Sequence, residues 1–394
     1  MPNNQTPDPS SNQTCDYVDH ESFQVSACGH TFTFHPAGAD RLAALIEHIA
    51  GAERSLDMFY YMFQDDRSGR QVLDALIEAA RRGVRVHLII DDFGSDASAE
   101  FFQPLQQAGG QFAIFSASWG VRYLIRNHQK FVIADNARVM TGGSNVSDHY
   151  YDPPQDNGWC DLGVGIDGKV AESFTEWFAL LANWTRTSGS QFRRVRRMIR
   201  QWDPGDGPVQ LLLGGPLVRR SHWSYRFKKD LTRAARVDLA TAYFGPPLSI
   251  RRLLARTAKR GDVRLIAAGK SDLPATIELA RMFYRRLLRS GAKVYEFQPC
   301  KLHMKLLVLD DKSYFGSANL DRRSIRINIE LMVRVEDAAL ADRLREFLDH
   351  LQAASAPVDL QWYRRNTSLL DRMRWRFFYA ISLLDYRFAR QASR

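Results

Sequence analysis

His128-Gln129-Lys130-Phe131-Val132-Ile133-Ala134-Asp135 has a second version in the same chain, His303-Met304-Lys305-Leu306-Leu307-Val308-Leu309-Asp310. Both read His-x-Lys-x4-Asp. Each is followed by a turn of small residues ending in Asn: Thr141-Gly142-Gly143-Ser144-Asn145 and Gly316-Ser317-Ala318-Asn319. Val132 and Ile133, and Leu306 to Val308, read as strand interior. Side chains alternate faces along a strand, so His and Lys two apart point the same way. Each pair is therefore expected where a strand enters a crevice, with a glycine-rich turn nearby that lets backbone approach a ligand.

The residue types suit phosphodiester chemistry. Imidazole is a nucleophile when neutral and an acid when protonated, and it titrates near physiological pH. With two copies, one histidine can attack phosphorus while the other protonates the leaving oxygen. Lys130 and Lys305 offer ammonium groups to non-bridging oxygens, and Asn145 and Asn319 offer neutral donors. A single His-x-Lys on a strand is usually a structural group, so the duplication carries the argument. A metal site fits poorly, because the residue two along is a cation and no His/Cys cluster accompanies it. No cofactor or metal is expected.

The flanks extend the pattern. Arg126-Asn127-His128-Gln129-Lys130 with Thr141-Gly142-Gly143 resembles the first motif of bacterial cardiolipin synthases, within the phospholipase D superfamily. Leu302-His303-Met304-Lys305 with Gly316-Ser317-Ala318-Asn319-Leu320-Asp321-Arg322-Arg323-Ser324 resembles their second. The likeness covers roughly residues 40 to 350. Two departures stand out: the second hairpin is one residue shorter, and Gly143 stands where the second motif has Ser317. The resemblance implies a metal-independent phosphatidyltransferase working through a phosphohistidine, with His128 as nucleophile and His303 as acid. Lys130, Lys305, Asn145, Ser317 and Asn319 would hold the phosphate.

The motif aspartates Asp135 and Asp310 belong to the catalytic motif by sequence, yet each sits five residues past its lysine. At about 3.3 Å per residue that is roughly 20 Å from the histidine, so a structural role in the hairpin is expected. An acid on a neighbouring strand is the better partner for each imidazole. The resemblance implies Glu330, in Asn328-Ile329-Glu330-Leu331, with Asp161, in Trp159-Cys160-Asp161-Leu162, as its counterpart. The segment between Asn145 and Asp161 reads as an inserted loop.

The repeat reaches beyond the motifs. Ala80-Arg81-Arg82-Gly83-Val84-Arg85-Val86 parallels Ala258-Lys259-Arg260-Gly261-Asp262-Val263-Arg264, each a helix ending at Gly and turning into an apolar strand. Alternating strands and helices predict an α/β fold of two pseudo-symmetric lobes, each a mixed, largely parallel sheet flanked by helices, with the active site between them. The 394 residues suit two such units. Strands at Leu56 to Phe63 and Val237 to Phe244 introduce the lobes, and their aromatic ends could line the crevice. The division reads as a polar, partly disordered N-terminal segment (1–35), a first lobe (36–200), a linker rich in Pro and Gly (201–208), a second lobe (209–355) and a basic amphipathic C-terminal helix (356–394).

A net charge of +10 favours an anionic partner, membrane surface or nucleic acid. Cys15, Cys28, Cys160 and Cys300 show no disulfide or metal spacing. No signal peptide or membrane-spanning stretch is expected, which matches the short type of cardiolipin synthase without N-terminal membrane helices. From Arg364 onward there are eight Arg against two Asp, with Leu370, Met373, Phe377, Ile381, Leu384 and Phe388 on one helical face. Such a helix either lies in a membrane interface or docks on the protein's own core. The expected partners are a phospholipid substrate and an anionic membrane surface, with the chain acting as a monomer at the cytoplasmic face of the bacterial inner membrane. A phospholipase D releasing phosphatidic acid is the alternative, with a nuclease behind it; intact duplicated motifs and the Leu-Asp-Arg-Arg-Ser flank argue against nucleic acid.

Overall fold

The computed structural model describes residues 17–116, 125–187, 192–216, 218, 221–375, 377 and 379. The first half opens with strands β1 (Phe23–Ala27) and β2 (His30–His35), then helix α1 (Gly38–Ala50) and β3 (Ser55–Tyr60). Next come α2 (Arg67–Arg81), β4 (Arg85–Asp91), α3 (Gln103–Gln107) and β5 (Gln111–Phe115). The motif hairpin is β6 (Lys130–Ala134) with β7 (Arg138–Gly142), followed by β8 (Trp159–Cys160), β9 (Gly163–Asp167) and α4 (Val170–Arg186).

Helix α5 (Phe192–Gln201) leads to β10 (Val209–Gly214), α6 (His222–Arg233), β11 (Arg236–Thr241) and β12 (Phe244–Gly245). Then follow α7 (Leu248–Thr257), β13 (Asp262–Ala268), α8 (Pro274–Arg289) and β14 (Lys293–Phe297). The second motif comprises β15 (Lys301–Leu302), β16 (Lys305–Leu309), β17 (Lys312–Gly316), β18 (Leu320–Asp321), α9 (Arg322–Arg326) and β19 (Glu330–Glu336). Helix α10 (Ala338–Ala353), β20 (Ser355–Val358) and α11 (Leu360–Arg365) complete the order.

Two eight-stranded sheets result, ordered β1-β2-β9-β7-β6-β3-β4-β5 and β10-β19-β17-β16-β11-β13-β14-β20. They are mixed, but the expectation of largely parallel pairing is corrected. Parallel pairs join only β3-β4-β5 and β11-β13-β14, where a helix carries the chain back across the sheet. The motif strands turn through short hairpins, and a short hairpin can only be antiparallel. Helices α1 to α3 cover one outer face, and α6 to α8 cover the other. The inner faces of the sheets share one apolar core with α4 and α10, in which Phe315 meets Phe32 and Phe34 edge-on at 5.9 and 5.6 Å between ring centres. Aromatic edge contacts of this kind add to the gain from burial.

Residues 23–35 are not tail but sheet. Phe32 and Phe34 alternate with Thr31 and Thr33, and both phenylalanines are fully buried, so a period-two pattern builds a strand inside a polar-looking segment. At the other end, Ser355–Val358 adds an edge strand to β14 before the helical residues begin. Trp375 is buried and Tyr379 sets its ring edge against Phe283 at 5.8 Å, while Leu369, Leu370, Met373 and Phe377 are exposed. The tail thus docks through one face and presents apolar side chains on another; Ile381, Leu384 and Phe388 lie outside the described residues. Among the described residues no helix is long and apolar enough to cross a membrane. The breaker-rich stretch is held too, since the buried Trp202 donates its indole N–H to Leu211 O at 2.9 Å.

Asp135 and Asp310 sit at the hairpin bends with φ of 57° and 50°. Asp135 accepts the backbone N–H groups of Glu53, Arg54 and Ser55 at 2.7 to 3.0 Å, and Asp310 accepts those of Ala235 and Arg236. Each carboxylate ties its motif strand to the start of the next strand in its sheet, so neither belongs with the catalytic groups. The left-handed backbone is one that Asp tolerates better than most residues. Asp135→Ala should lower unfolding free energy by about 1–3 kcal/mol in urea titrations, the cost of orphaning these donors. The folded fraction should keep the wild-type geometry around His128.

Candidate active site

The approach to each motif strand is paired with the other lobe. Asn127 bridges Ile329 in parallel, His128 N–H donates to Ile329 O at 2.8 Å, and Ile329 N–H donates to Arg126 O at 2.9 Å. On the opposite side, β15 pairs with β8 in parallel, and His303 N–H donates to Cys160 O at 2.7 Å. The residues following Ile329 and Cys160 are Glu330 and Asp161. Backbone register therefore seats one acid beside each imidazole.

His303 Nδ1 lies 2.8 Å from Asp161 Oδ2, and His128 Nδ1 lies 3.2 Å from Glu330 Oε2. Each acid serves the histidine of the opposite half, which corrects the expectation of a partner on the neighbouring strand. In both cases it is Nδ1 that faces the carboxylate, with Nε2 on the other side of the ring. Both carboxylates are fully buried. Leu162 N–H supports Asp161 at 2.8 Å; Glu330 takes Ser317 Oγ at 2.5 Å and Asn328 Nδ2 at 3.2 Å.

Lys130 and Lys305 open their strands and fold back, each donating to the carbonyl of its own histidine. Lys305 Nζ also lies 3.0 Å from His303 Nε2. The charge of Lys305 reaches His128 and that of Lys130 reaches His303, so all four groups share one site. Burial, then the neighbouring lysine, pulls both imidazoles below the usual histidine range, His128 to about 4. Burial also lowers both lysines, Lys305 to about 8. For Asp161, burial alone would raise the carboxyl, but His303 and Lys305 bring it below the ordinary range; for Glu330, His128 does the same. These shifts favour uncharged imidazoles beside ionised carboxylates. Among the described residues, no group of three or more His, Cys, Asp or Glu could hold a metal ion.

A family model described as cardiolipin synthase, PLD-like domain, matches residues 45–181 and 229–352, once over each half. The chain belongs to that family. It is 30% identical over 343 residues to cardiolipin synthase 1 of Bacillus anthracis, covering 82% of this chain and 66% of that protein. Cardiolipin synthase B of Shigella flexneri is 30% identical over 328 residues, with coverage of 80% and 79%. The chain thus spans just under two thirds of the Bacillus relative. Among solved structures, phosphatidylserine synthase of Haemophilus influenzae Rd KW20 superposes with a TM-score of 0.73 at 13% identity, over 94% of this chain and 97% of that one. Polyphosphate kinase of Porphyromonas gingivalis gives 0.55 at 12% identity over 85% and 55%. Both likenesses concern the fold.

The cardiolipin synthase motifs come together as their repetition suggested, with adjustments. Ser317, expected on phosphate, spends its hydroxyl on Glu330 and receives Leu331 N–H at 3.1 Å, so it positions the acid. Asn145 gives its amide N–H to Tyr150 Oη at 2.7 Å, and the Oδ1 atoms of Asn145 and Asn319 are buried without a hydrogen bond. Tyr61 does line the crevice, its ring 4.8 Å from that of His128. Tyr150 and Trp159, assigned to an inserted loop, stand 5.1 and 5.2 Å from the His303 ring. Arg41 had no signal at all. Its buried guanidinium donates to the carbonyls of Asp161, Tyr150 and Trp159 at 2.7 to 2.9 Å, bracing the segment that carries the acid.

The absence of a hydroxyl at Gly143 has a steric cause. A Cβ there would lie 2.3 Å from Asp161 Oδ1, so this position must stay bare for the shorter acid to reach His303. Gly143→Ser should push Asp161 off the imidazole. Turnover should then fall at least about tenfold, a loss of 1.4 kcal/mol or more in transition-state stabilisation, while the circular dichroism spectrum and melting behaviour stay native-like. Imidazole nitrogen NMR should show His303 losing its Nδ1 partner while His128 keeps its own.

Proposed function

We propose that the protein is a cardiolipin synthase-like phosphatidyltransferase, moving a phosphatidyl group from a phospholipid donor, phosphatidylglycerol, to an alcohol acceptor through a phosphohistidine and without a metal. The observation that carries the reading is the pair of imidazoles, each fixed at Nδ1 by a carboxylate of the opposite half with a lysine beside it. Family membership supports the substrate class. One chain supplies both histidines, so a monomer can complete the site. Residues 23–200 and 209–358 would act as its two halves, at the cytoplasmic face of the membrane.

Neutral His128 attacks phosphorus through Nε2, and the bond from phosphorus to the glycerol oxygen breaks. His303 gives that oxygen a proton. The proton is present because a phosphodiester anion seated between the imidazoles raises their affinity for it. The acceptor hydroxyl then gives its proton back to His303, attacks the phosphohistidine and releases His128. Lys130, Lys305, Asn145 and Asn319 would hold the non-bridging oxygens, Asn145 giving up its bond to Tyr150 Oη and Lys305 its contact with His303 Nε2. The acids favour this assignment: Glu330 divides its charge among Ser317, Asn328 and His128, whereas Asp161 holds His303 at the shorter distance and better stabilises an imidazolium.

Purified protein with phosphatidylglycerol vesicles and excess chelator should release cardiolipin and glycerol, and a His128→Ala/His303→Ala double variant should release neither. Phosphatidic acid as sole product would make the protein a phospholipase D, and turnover of oligonucleotides but no lipid would overturn the lipid reading. His303→Ala should still accumulate a phospho-enzyme from a donor with a good leaving group; one that persisted instead in His128→Ala would reverse the two roles.

The same charges fix a pH profile. His128 must be neutral, so kcat/KM should fall as pH drops toward about 4 and the imidazole protonates. Above about pH 8 Lys305 loses its charge and its hold on phosphate, giving an alkaline limb. Lys305→Arg, which stays protonated, should move that limb upward even if the rate is lower.

A further inference from the structure

Helices α7 and α8 lie side by side on the outer face of the second lobe, and a groove of about 700 Å³ runs along their C-terminal halves. Arg252, Arg256 and Lys259 line it from one side and Arg285, Arg286 and Arg289 from the other. Arg252 and Arg256 are i, i+4 on α7 and Lys259 follows in the turn just past its end, while Arg285 and Arg289 are i, i+4 on α8 with Arg286 beside them, so cations line the groove from both sides. Met282 and Ala255 also line the groove.

All six cationic side chains are exposed, and none is in an ion pair among the described residues. Elsewhere on α8 the charges are matched: Arg281 meets Glu296 at 2.7 Å, and Glu278 meets Arg374 at 2.7 Å. Cations left unmatched along one groove repel one another until anions enter it. We propose that this groove binds the headgroup phosphates of anionic phospholipid in a bilayer, at a site separate from the crevice. The inference rests on the reading of the protein as a lipid phosphatidyltransferase.

Three features favour a bilayer over a soluble anion. The apolar lining suits a glycerol backbone as well as a phosphate. Leu248 and Leu273, at the opposite ends of the same two helices, are 41% and 53% exposed, and Leu369, Leu370 and Met373 are exposed on the tail that docks against α8 through Arg374. Thr276 and Leu279, near the start of α8, line a small cleft with Tyr243 and Asp321, and the charge of Asp321 reaches Lys305. Ten residues of helix, roughly 15 Å, separate Leu279 from Arg289, so lipid held in the groove would set the crevice at the membrane surface.

The test compares the full-length protein with Arg256→Gln/Arg286→Gln/Arg289→Gln in sedimentation with phosphatidylcholine vesicles, with and without phosphatidylglycerol. Wild type should bind the anionic vesicles preferentially, and the triple variant should lose roughly 100-fold in affinity for them. Its turnover of short-chain, monomeric phosphatidylglycerol should be unchanged, which also establishes that it folds. The matching Arg→Lys variant should keep most of the binding. Equal sedimentation of wild type and the Gln variant would overturn the site. So would displacement of wild type by inorganic phosphate matched to the vesicle phosphate, which marks a free-anion site, or a loss confined to oligonucleotide binding. If wild type binds vesicles through these arginines yet turns over no short-chain lipid, the site stands and the catalytic reading fails.

Discussion

Two short parallel pairings across the middle of the molecule hold the site together. Asn127 to His128 runs beside Ile329, and Leu302 to His303 runs beside Cys160. Because the acids come next in sequence, the hydrogen bonds that join the halves also deliver each carboxylate to the imidazole opposite. Neither half could assemble a working His–acid pair alone. The shared core between the sheets, built from Phe32, Phe34, Phe131, Phe315 and Leu331, keeps these pairings in register. Packing far from the crevice thus bears directly on its geometry, since side-chain positions in a dense core are coupled.

Burial gives the assembled groups their chemistry. Two lysines and two carboxylates balance formally when both imidazoles are neutral, and neutrality is what burial favours for a histidine. A phosphodiester anion entering this space adds one uncompensated charge. In a medium of low polarity that charge is costly unless a proton accompanies it. On the proposed mechanism the site would therefore link substrate binding to protonation of one imidazole, converting a pair of bases into a base and an acid.

Much of this was legible in the chain because duplication turns a weak motif into a strong one. The two motif strands, the helix-to-strand repeat around Gly83 and Gly261, the shorter second hairpin and the structural task of Asp135 and Asp310 all follow from spacing and strand geometry. What stayed hidden depends on contacts between distant segments. Spacing along one chain cannot show that Asp161 faces His303 rather than His128, because that pairing is made across the lobes. Arg41 is an unexceptional helical arginine until the fold brings three carbonyls around it. The parallel character of the sheets was overestimated because the helical crossovers are prominent in sequence, whereas the hairpins that reverse direction are two or three residues long. Phe32 and Phe34 were obscured by polar neighbours, although their alternation was there to be read.

The halves are alike in plan and unlike in detail, and the differences compensate. In one, an aspartate is short enough to need a bare glycine beside it; a side chain at residue 143 would occupy its place. In the other, the longer glutamate leaves room for Ser317, whose hydroxyl bonds to it and steadies the extra rotatable bond. Acid length and the residue opposite it are thus set together in each half, so changing one member alone should damage the pair more than changing both. The outcome is two imidazoles in unequal electrostatic settings, one beside a carboxylate shared among three donors and one held closely by a carboxylate with fewer. On the proposed mechanism, a symmetric pair would have no reason to divide the roles of nucleophile and acid. The steric exchange of Gly143 and Asp161 for Ser317 and Glu330 supplies one.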